Sequence, residues 1–404
     1  MAQELRPTSA DELRDIVAGA LAEETPLQVV GAGSKGCLGR PLDLPRLRVD
    51  GLRKIGSYEP EELVMTVDAG TPMAEIEAHL VDNRQQLAFE PADYGALLGG
   101  EPGRATIGGV LACNLSGPRR IKAGAARDHF LGVQAVTGRG ELIKAGGRVV
   151  KNVTGYDLCK LLAGSFGTLA VMTEVSVKVL PAAEETLTLL LAGLEPTDAL
   201  AVLRTAMASA HDVSGAAYLQ APAAARSAAL PIADGVAALR LEGPGASLRH
   251  RADALRDLLR VPGAEIGELD TPASQALWRE VRDAALLPTP AVLWRISLPP
   301  SAGASLIEAL EPSLRPQWLA DWAGGLVWLA LEDADLEDAG AATIRTALAE
   351  HGGHATLIRA NAALRSRVDV FQPQPPPLAR LSARVKESFD PKRILSPGRM
   401  DRDL

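Results

Sequence analysis

Gly103-Arg104-Ala105-Thr106-Ile107-Gly108-Gly109-Val110, running on through Ala112-Cys113-Asn114-Leu115-Ser116-Gly117, opens the part of the chain (residues 101–181) on which the fold turns. That part closes with Ala163-Gly164-Ser165-Phe166-Gly167-Thr168-Leu169-Ala170-Val171-Met172-Thr173. Its glycines stand among residues that read as structured, not as linker. Paired glycines between Thr-Ile and an apolar run suit a backbone that must come close to another group, where a side chain would intrude. Peptide N–H groups in such turns form anion-binding nests. The stretch reads as half of a cofactor cradle.

Upstream, a short strand over 27–30 runs into Gly31-Ala32-Gly33-Ser34-Lys35-Gly36, a Gly-x-Gly-x-x-Gly string with Asp50 about where a ribose-binding acid would fall. A Rossmann fingerprint needs its third glycine to open a helix, and Gly39, Pro41 and Pro45 leave no room for one. What remains is a glycine loop between strands, either an ordinary turn or a wrap for a pyrophosphate. Before it, Ser9-x-x-Glu12 is a capping-box pattern ahead of Leu13, Ile16, Val17, Ala20 and Leu21 at helical spacing. After it, 63–68 reads as a strand ending in Ala69-Gly70. Thr71 then reads as the cap of a helix with Pro72 at its first position. Residues 130–137 read as a strand turned at Gly138-Arg139-Gly140, and Asp157 opens a short helix. Val171, Thr173, Val175, Val177 and Val179 alternate as one face of a strand that stops at Pro181.

Beyond that proline the glycine loops thin out, and amphipathic helices (197–210, 247–259, 302–310, 336–350) alternate with short strands. Such pairs predict a second α+β domain with helices on one face of an antiparallel sheet. Residues 373–377 read as a stiff proline linker, followed by a helix over 378–389 and the trailing Ile394-Leu395-Ser396-Pro397-Gly398-Arg399-Met400. The expected domains are 1–181, 182–372 and a tail, 373–404, packing back on the first domain.

Composition narrows the function. Net charge is −8, and no Lys/Arg run is long enough to follow a phosphate backbone, which argues against nucleic acid. Aromatics are 3% of the chain, low for a base-stacking surface. The acids Asp11, Glu12, Asp15, Glu23 and Glu24 are wrong for a signal peptide, and no apolar span reaches membrane length. A cytoplasmic protein is expected, at the inner membrane only peripherally and through partners. Cys37, Cys113 and Cys159 are far apart with no Cys-x-x-Cys, so thiolates of this chain alone cannot hold an iron–sulfur cluster.

Three strings together resemble the vanillyl-alcohol-oxidase superfamily with its PCMH-type FAD-binding domain, and within it the E subunits of bacterial glycolate oxidases. They are Gly147-Arg148-Val149-Val150-Lys151-Asn152-Val153-Thr154-Gly155-Tyr156-Asp157, the stretch 163–173, and Phe371-Gln372-Pro373-Gln374-Pro375. The resemblance covers about residues 1–181 and the tail near 390–400. It implies an α+β chain: a two-lobed FAD-binding domain, a smaller cap domain and a C-terminal tail. Gly31, Ala32, Gly33, Ser34, Lys35 and Gly36 would hold the FAD pyrophosphate on N–H groups, with Ala69 and Gly70 alongside. Thr106, Ile107, Gly108, Gly109, Asn114, Ser116 and Gly117 would line the flavin and ribityl side, and Gly167, Thr168, Leu169 and Val171 the far side. Bare amides from three glycine turns would thus close on one diphosphate. Ala170 stands where relatives often have glycine.

Covalent members attach the flavin through His or Cys. Lys35 stands in roughly that place and no histidine does, and nearby Cys37 reads as a buried cysteine rather than an attachment point, so FAD is expected to be held without a covalent bond. The His-x-Gly-Asp-Gly-Asn string of catalytic D-hydroxyacid relatives is absent. Lys151 and Asn152 are the candidates for polar groups near the flavin, against a solvated surface lysine; Tyr156 stacks or merely packs. Arg359, Arg365 and Arg367 offer a carboxylate fork or a helix face. His351 and His354 read as flanking a turn, with no metal site expected. The resemblance implies a glycolate dehydrogenase complex with a catalytic flavin subunit and an iron–sulfur subunit. An independent FAD enzyme for a 2-hydroxy acid, or a module with structural FAD, are the other readings.

Overall fold

The computed structural model describes residues 4–147, 155–231, 234–333 and 337–404. The chain forms two compact units, Met1–Ser116 with Gly124–Ala182 and Pro373–Leu404, and Gly117–Ala123 with Ala183–Gln372. Seven residues just after the central glycine stretch therefore belong with the second unit.

In the first unit, helix Ala10–Ala22 starts where Ser9 Oγ accepts the Glu12 N–H at 3.1 Å, and the Glu12 carboxylate turns back to the Thr8 N–H at 2.7 Å. Leu13, Val17 and Ala20 pack with Leu27, Leu47, Val136, Val171, Ile394 and Leu395, so the tail completes this core. Strand Gln28–Val30 pairs in parallel with Arg46–Arg48. A five-stranded antiparallel sheet has Ala170–Lys178 at its centre, between Val64–Asp68 and Phe130–Thr137. Both faces of that central strand are covered, so Met172 and Ser176 are buried as well as the valines. Three local expectations change. Thr71 gives its hydroxyl to Lys54 O, and Pro72 occupies the cap position before helix Met73–Asp82. Gly108 and Gly109 lie inside a short helix, Ile107–Ala112, whose cap Thr106 accepts the Gly109 N–H at 3.3 Å. The last helix, Pro376–Phe389, begins within the proline run, because a first turn does not need the missing N–H.

In the second unit, eight antiparallel strands run in the order Glu265–Leu269, Glu185–Ala192, Val236–Gly243, Gly215–Leu219, Gln317–Asp321, Leu326–Leu331, Val292–Ser297 and His354–Arg359. Alternation assigns the faces. Leu187, Leu189, Ala237, Leu239, Trp294, Ile296, Val327 and Leu329 join the core with helices Pro196–Ala208, Gly245–Leu258, Gly303–Leu314 and Ala341–Ala349. Residues between them, including Thr188, Arg240, Arg295 and Trp328, face the other way. There the Arg119 guanidinium grips the Glu242 carboxylate at 2.6 and 2.9 Å, and Arg240 lies over the Trp278 ring at 4.7 Å. All five tryptophans, at 278, 294, 318, 322 and 328, belong to this unit.

Candidate cofactor site

A cleft lies in the first unit, where the three glycine segments converge. Val29, Val30 and Gly31–Gly36 line one side, and Val49, Ala69, Thr106, Gly108, Gly109, Ala112 and Cys113 another. Phe166, Gly167, Ala170, Val171 and Met172 line the third, and Arg399 arrives from the tail. Among the described residues the lining holds two cations, Lys35 and Arg399, and no acid, in a chain whose net charge is −8. Such a cleft favours an anion.

The first loop contains turns and no helix. Gly36 N–H donates to Gly33 O and Leu38 N–H to Lys35 O. Among the described residues, the N–H groups of Ala32, Gly33, Ser34 and Lys35 donate to no backbone carbonyl. Gly33 has φ +83° and open space where a Cβ would stand. Asp50 is engaged by Arg48 at 2.7 Å and Arg6 at 3.1 Å, so it serves the sheet edge. Burial would raise its pKa, but the two guanidinium groups hold it below the ordinary value.

The other two segments supply close approach. Ile107 N–H donates to Thr71 O and Gly108 N–H to Ala69 O. A Cβ on Gly108 would lie 2.7 Å from Ala69 O, and one on Gly31 2.4 Å from Thr106 Oγ1. In the third segment Phe166 N–H is taken by Ala112 O and Thr168 N–H by Ser165 O, while Gly167 has φ +72° against Val29. The longest run of amides that donate to no backbone carbonyl is thus in the first loop, among the described residues.

Lys35 extends into the cleft, with Ser34 Oγ at 3.4 Å from its Nζ. Burial lowers its pKa, and Cys113 and Asp93 act the other way. Burial raises the Cys113 thiol, against Lys35 and Arg399, so it is a protonated thiol. The Arg399 guanidinium donates to the carbonyls of Lys35, Gly36 and Arg40 at 3.1 to 3.3 Å. Lys386, also buried, donates to Thr168 O at 2.7 Å, Leu395 O at 2.9 Å and the Asp390 carboxylate at 2.6 Å. Neither residue was singled out from the sequence. The signal available was two bases flanking the apolar pair Ile394-Leu395 in a tail expected to return.

Several residues named from the sequence lie outside the cleft lining. A Cβ on Gly70 would meet Val49 O at 2.0 Å, so that glycine serves packing. Ile107 and Leu169 are buried in the core. Asn114 Oδ1 accepts the Arg127 N–H, and Ser116 Oγ the Ala126 N–H. Thr168 gives its hydroxyl to Ser165 O. Gly117 belongs to the second unit, its carbonyl accepting the Trp322 indole N–H at 3.2 Å. Tyr156 is 90% exposed. Lys151 and Asn152 lie outside the described residues. Arg365 is buried and donates to Ala360 O, and Arg367 is exposed. Gly352 and Gly353 make a positive-φ turn into strand His354–Arg359.

Residues 2–146 match a family described as FAD binding domain. The glycolate oxidase subunit GlcE of Escherichia coli (strain K12) is 35% identical over 387 residues, 95% of this chain and 95% of that protein. The chain belongs to the GlcE family. It is an FAD-dependent oxidoreductase. Other relatives match about half of it: a D-lactate dehydrogenase of Anaerostipes hadrus is 30% identical over 46% of this chain and 37% of that protein. The glycolate oxidase subunit GlcD of Bacillus subtilis (strain 168) is 31% identical over 46% of this chain and 38% of its own length. Among solved structures, p-cresol methylhydroxylase superposes with a TM-score of 0.74 over 99% of this chain and 89% of that one, at 13% identity. This is the PCMH-type α+β fold that the sequence strings implied.

Proposed function

We propose that this chain is the FAD-carrying subunit of a complex that oxidises glycolate, or a near 2-hydroxy acid, to the 2-oxo acid, and that its electrons pass to an iron–sulfur subunit beside a catalytic flavin subunit. The observation that carries this reading is the likeness to GlcE over 95% of both chains. The cleft fits the cofactor: one loop of carbonyl-free N–H groups, glycines that let two further segments approach, and, among the described residues, an acid-free lining with two cations. The N–H groups of residues 32–35 and the Lys35 ammonium would hold the diphosphate. Ala69, Thr106, Gly108, Gly109, Gly167 and Val171 would give the ring system its walls. Bound FAD supplies the acceptor for the two electrons that leave the hydroxyl-bearing carbon. Burial keeps Cys113 a thiol, and this supports FAD held without a covalent bond. Lys151 and Asn152 keep their proposed place beside the flavin, and Tyr156, open to solvent, drops out of that set. A cytoplasmic place, with any membrane contact made through partners, is part of the same reading; no described helix is long and apolar enough to cross a membrane.

Two measurements test it. Purification from the native host is expected to bring down an iron–sulfur protein, and recovery of the chain without one overturns the complex. Under anaerobic conditions glycolate is expected to bleach the flavin of the complex but not of the isolated chain. Bleaching of the isolated chain overturns the division of labour in favour of an independent enzyme.

A further inference from the structure

The face of the second unit's sheet that carries Arg295 is unlike the aliphatic one. Val292, Trp294 and Ile296 enter the core, and Arg295 alternates away from them. Its direct cross-strand neighbours are Trp328 and Thr356, and His354 stands opposite Ser297 on the same face. The Arg295 guanidinium lies 5.1 Å from the centre of the Trp322 ring and 5.9 Å from that of Trp328. Arg120, from the Gly117–Ala123 excursion, covers the same Trp322 ring at 4.3 Å. Trp322 is itself pinned, its indole N–H on Gly117 O and its backbone N–H on Asp321 Oδ1 at 2.7 Å.

Three observations separate this cluster from ordinary packing. Two guanidinium groups on one indole repel each other, and each cation–aromatic contact offsets only about 0.5–2 kcal/mol. Arg295 Nε is buried and has no hydrogen-bond partner among the described residues. Trp322 and Ala323 hold φ of 53° and 56° in succession, a left-handed conformation that costs non-glycine residues about 1–3 kcal/mol each. Strain and an unpartnered buried guanidinium N–H at one spot mark a place shaped for something other than stability. The field there is positive: burial first, then Arg295 and Arg120, lower the pKa of His354.

We propose that Arg295, Arg120 and Trp322 form a binding site for a small carboxylate, with Arg295 as its anchor. A guanidinium offers a carboxylate a planar fork, and the Nε–H of Arg295 is the unused prong of one. The Trp322 ring gives a short carbon skeleton an apolar wall. Identifying the anion with the hydroxy acid of the reaction rests on the function proposed above; the anion site does not.

The test follows the His354 imidazole by NMR in the FAD-loaded protein, assigned with His354→Gln, while glycolate or acetate is added. A bound carboxylate is expected to raise the His354 titration midpoint saturably. Arg295→Met is expected to weaken that binding by about tenfold or more, as loss of a charged hydrogen-bond donor does, and Arg295→Lys to recover part of it. Acetate bound as tightly as glycolate supports the site and counts against the hydroxy-acid function. No saturable movement of His354 in the unmutated protein overturns the site, whatever the variants do. So does unchanged affinity in a folded Arg295→Met protein.

Discussion

The guanidinium of Arg399 holds the carbonyl oxygen of Lys35 at 3.1 Å, across 364 positions of sequence. It also lines the cleft, and Arg40 N–H returns a bond to Arg399 O at 2.9 Å. One side chain thus ties three carbonyls of this loop to the tail.

Removing it should loosen the loop without filling the cleft. Arg399→Met is expected to weaken FAD binding by about tenfold or more, since a charged donor to three carbonyls is lost. Arg399→Lys should recover little, because an ammonium cannot span the three acceptors as a fork does. Flavin fluorescence on titrating the apoprotein measures both.

Lys35 should make affinity depend on pH. Its folded pKa is lowered by burial, so the charge that attracts a diphosphate is present below that pKa and lost as pH rises through it. FAD affinity is expected to fall on going alkaline before an ordinary lysine would titrate. Lys35→Met should show weaker binding with a flatter profile, read in the same titration.

Two neighbouring glycines should behave differently. A Cβ on Gly108 would strike Ala69 O at 2.7 Å, and one on Gly109 would meet only Thr106 Oγ1 at 3.2 Å and Lys35 Nζ at 3.7 Å. Gly108→Ala is expected to destabilise the apoprotein by about 1–3 kcal/mol through overpacking. Gly109→Val should leave its melting temperature nearly unchanged and abolish FAD retention. Retained yellow colour in Gly109→Val would place the cofactor elsewhere.

Glu242 should govern acid stability of the second unit. Burial acts to raise its pKa, but Arg240 and Arg119 outweigh it and hold the group at about 2, down from 4.5. The depressed carboxylate stabilises the fold above pH 4.5 and loses that contribution as pH falls toward 2. The difference amounts to about 3 kcal/mol at most. Since all tryptophans lie in this unit, denaturant unfolding followed by their emission isolates it. Glu242→Gln should be less stable at neutral pH and should lack this acid-dependent loss.

The fold was legible where periodicity and punctuation agreed. Ser9 and Glu12, the turn at Gly138-Arg139-Gly140, and the valines from Val171 to Val179 specify their elements locally. Helix Ile107–Ala112 was not legible, because its two glycines speak against a helix that Thr106 capping and packing nonetheless support. Strand Gly215–Leu219, rich in Gly and Ala, carries no β signal of its own and exists through its neighbours on both sides. Of the cofactor cleft, the glycine segments could be read, because glycine names a backbone need. What each need was could not: whether an amide is spare or taken depends on carbonyls such as Thr71 O and Ala112 O, brought there by tertiary structure. Arg399 and Lys386 were invisible for the same reason, their acceptors being backbone atoms that leave no mark on sequence.

The wall supplied by Arg399 is synthesised only after the whole of the second unit, although the loop it braces is among the first parts of the chain to be made. During translation the cleft therefore lacks that wall until the intervening second unit has been made.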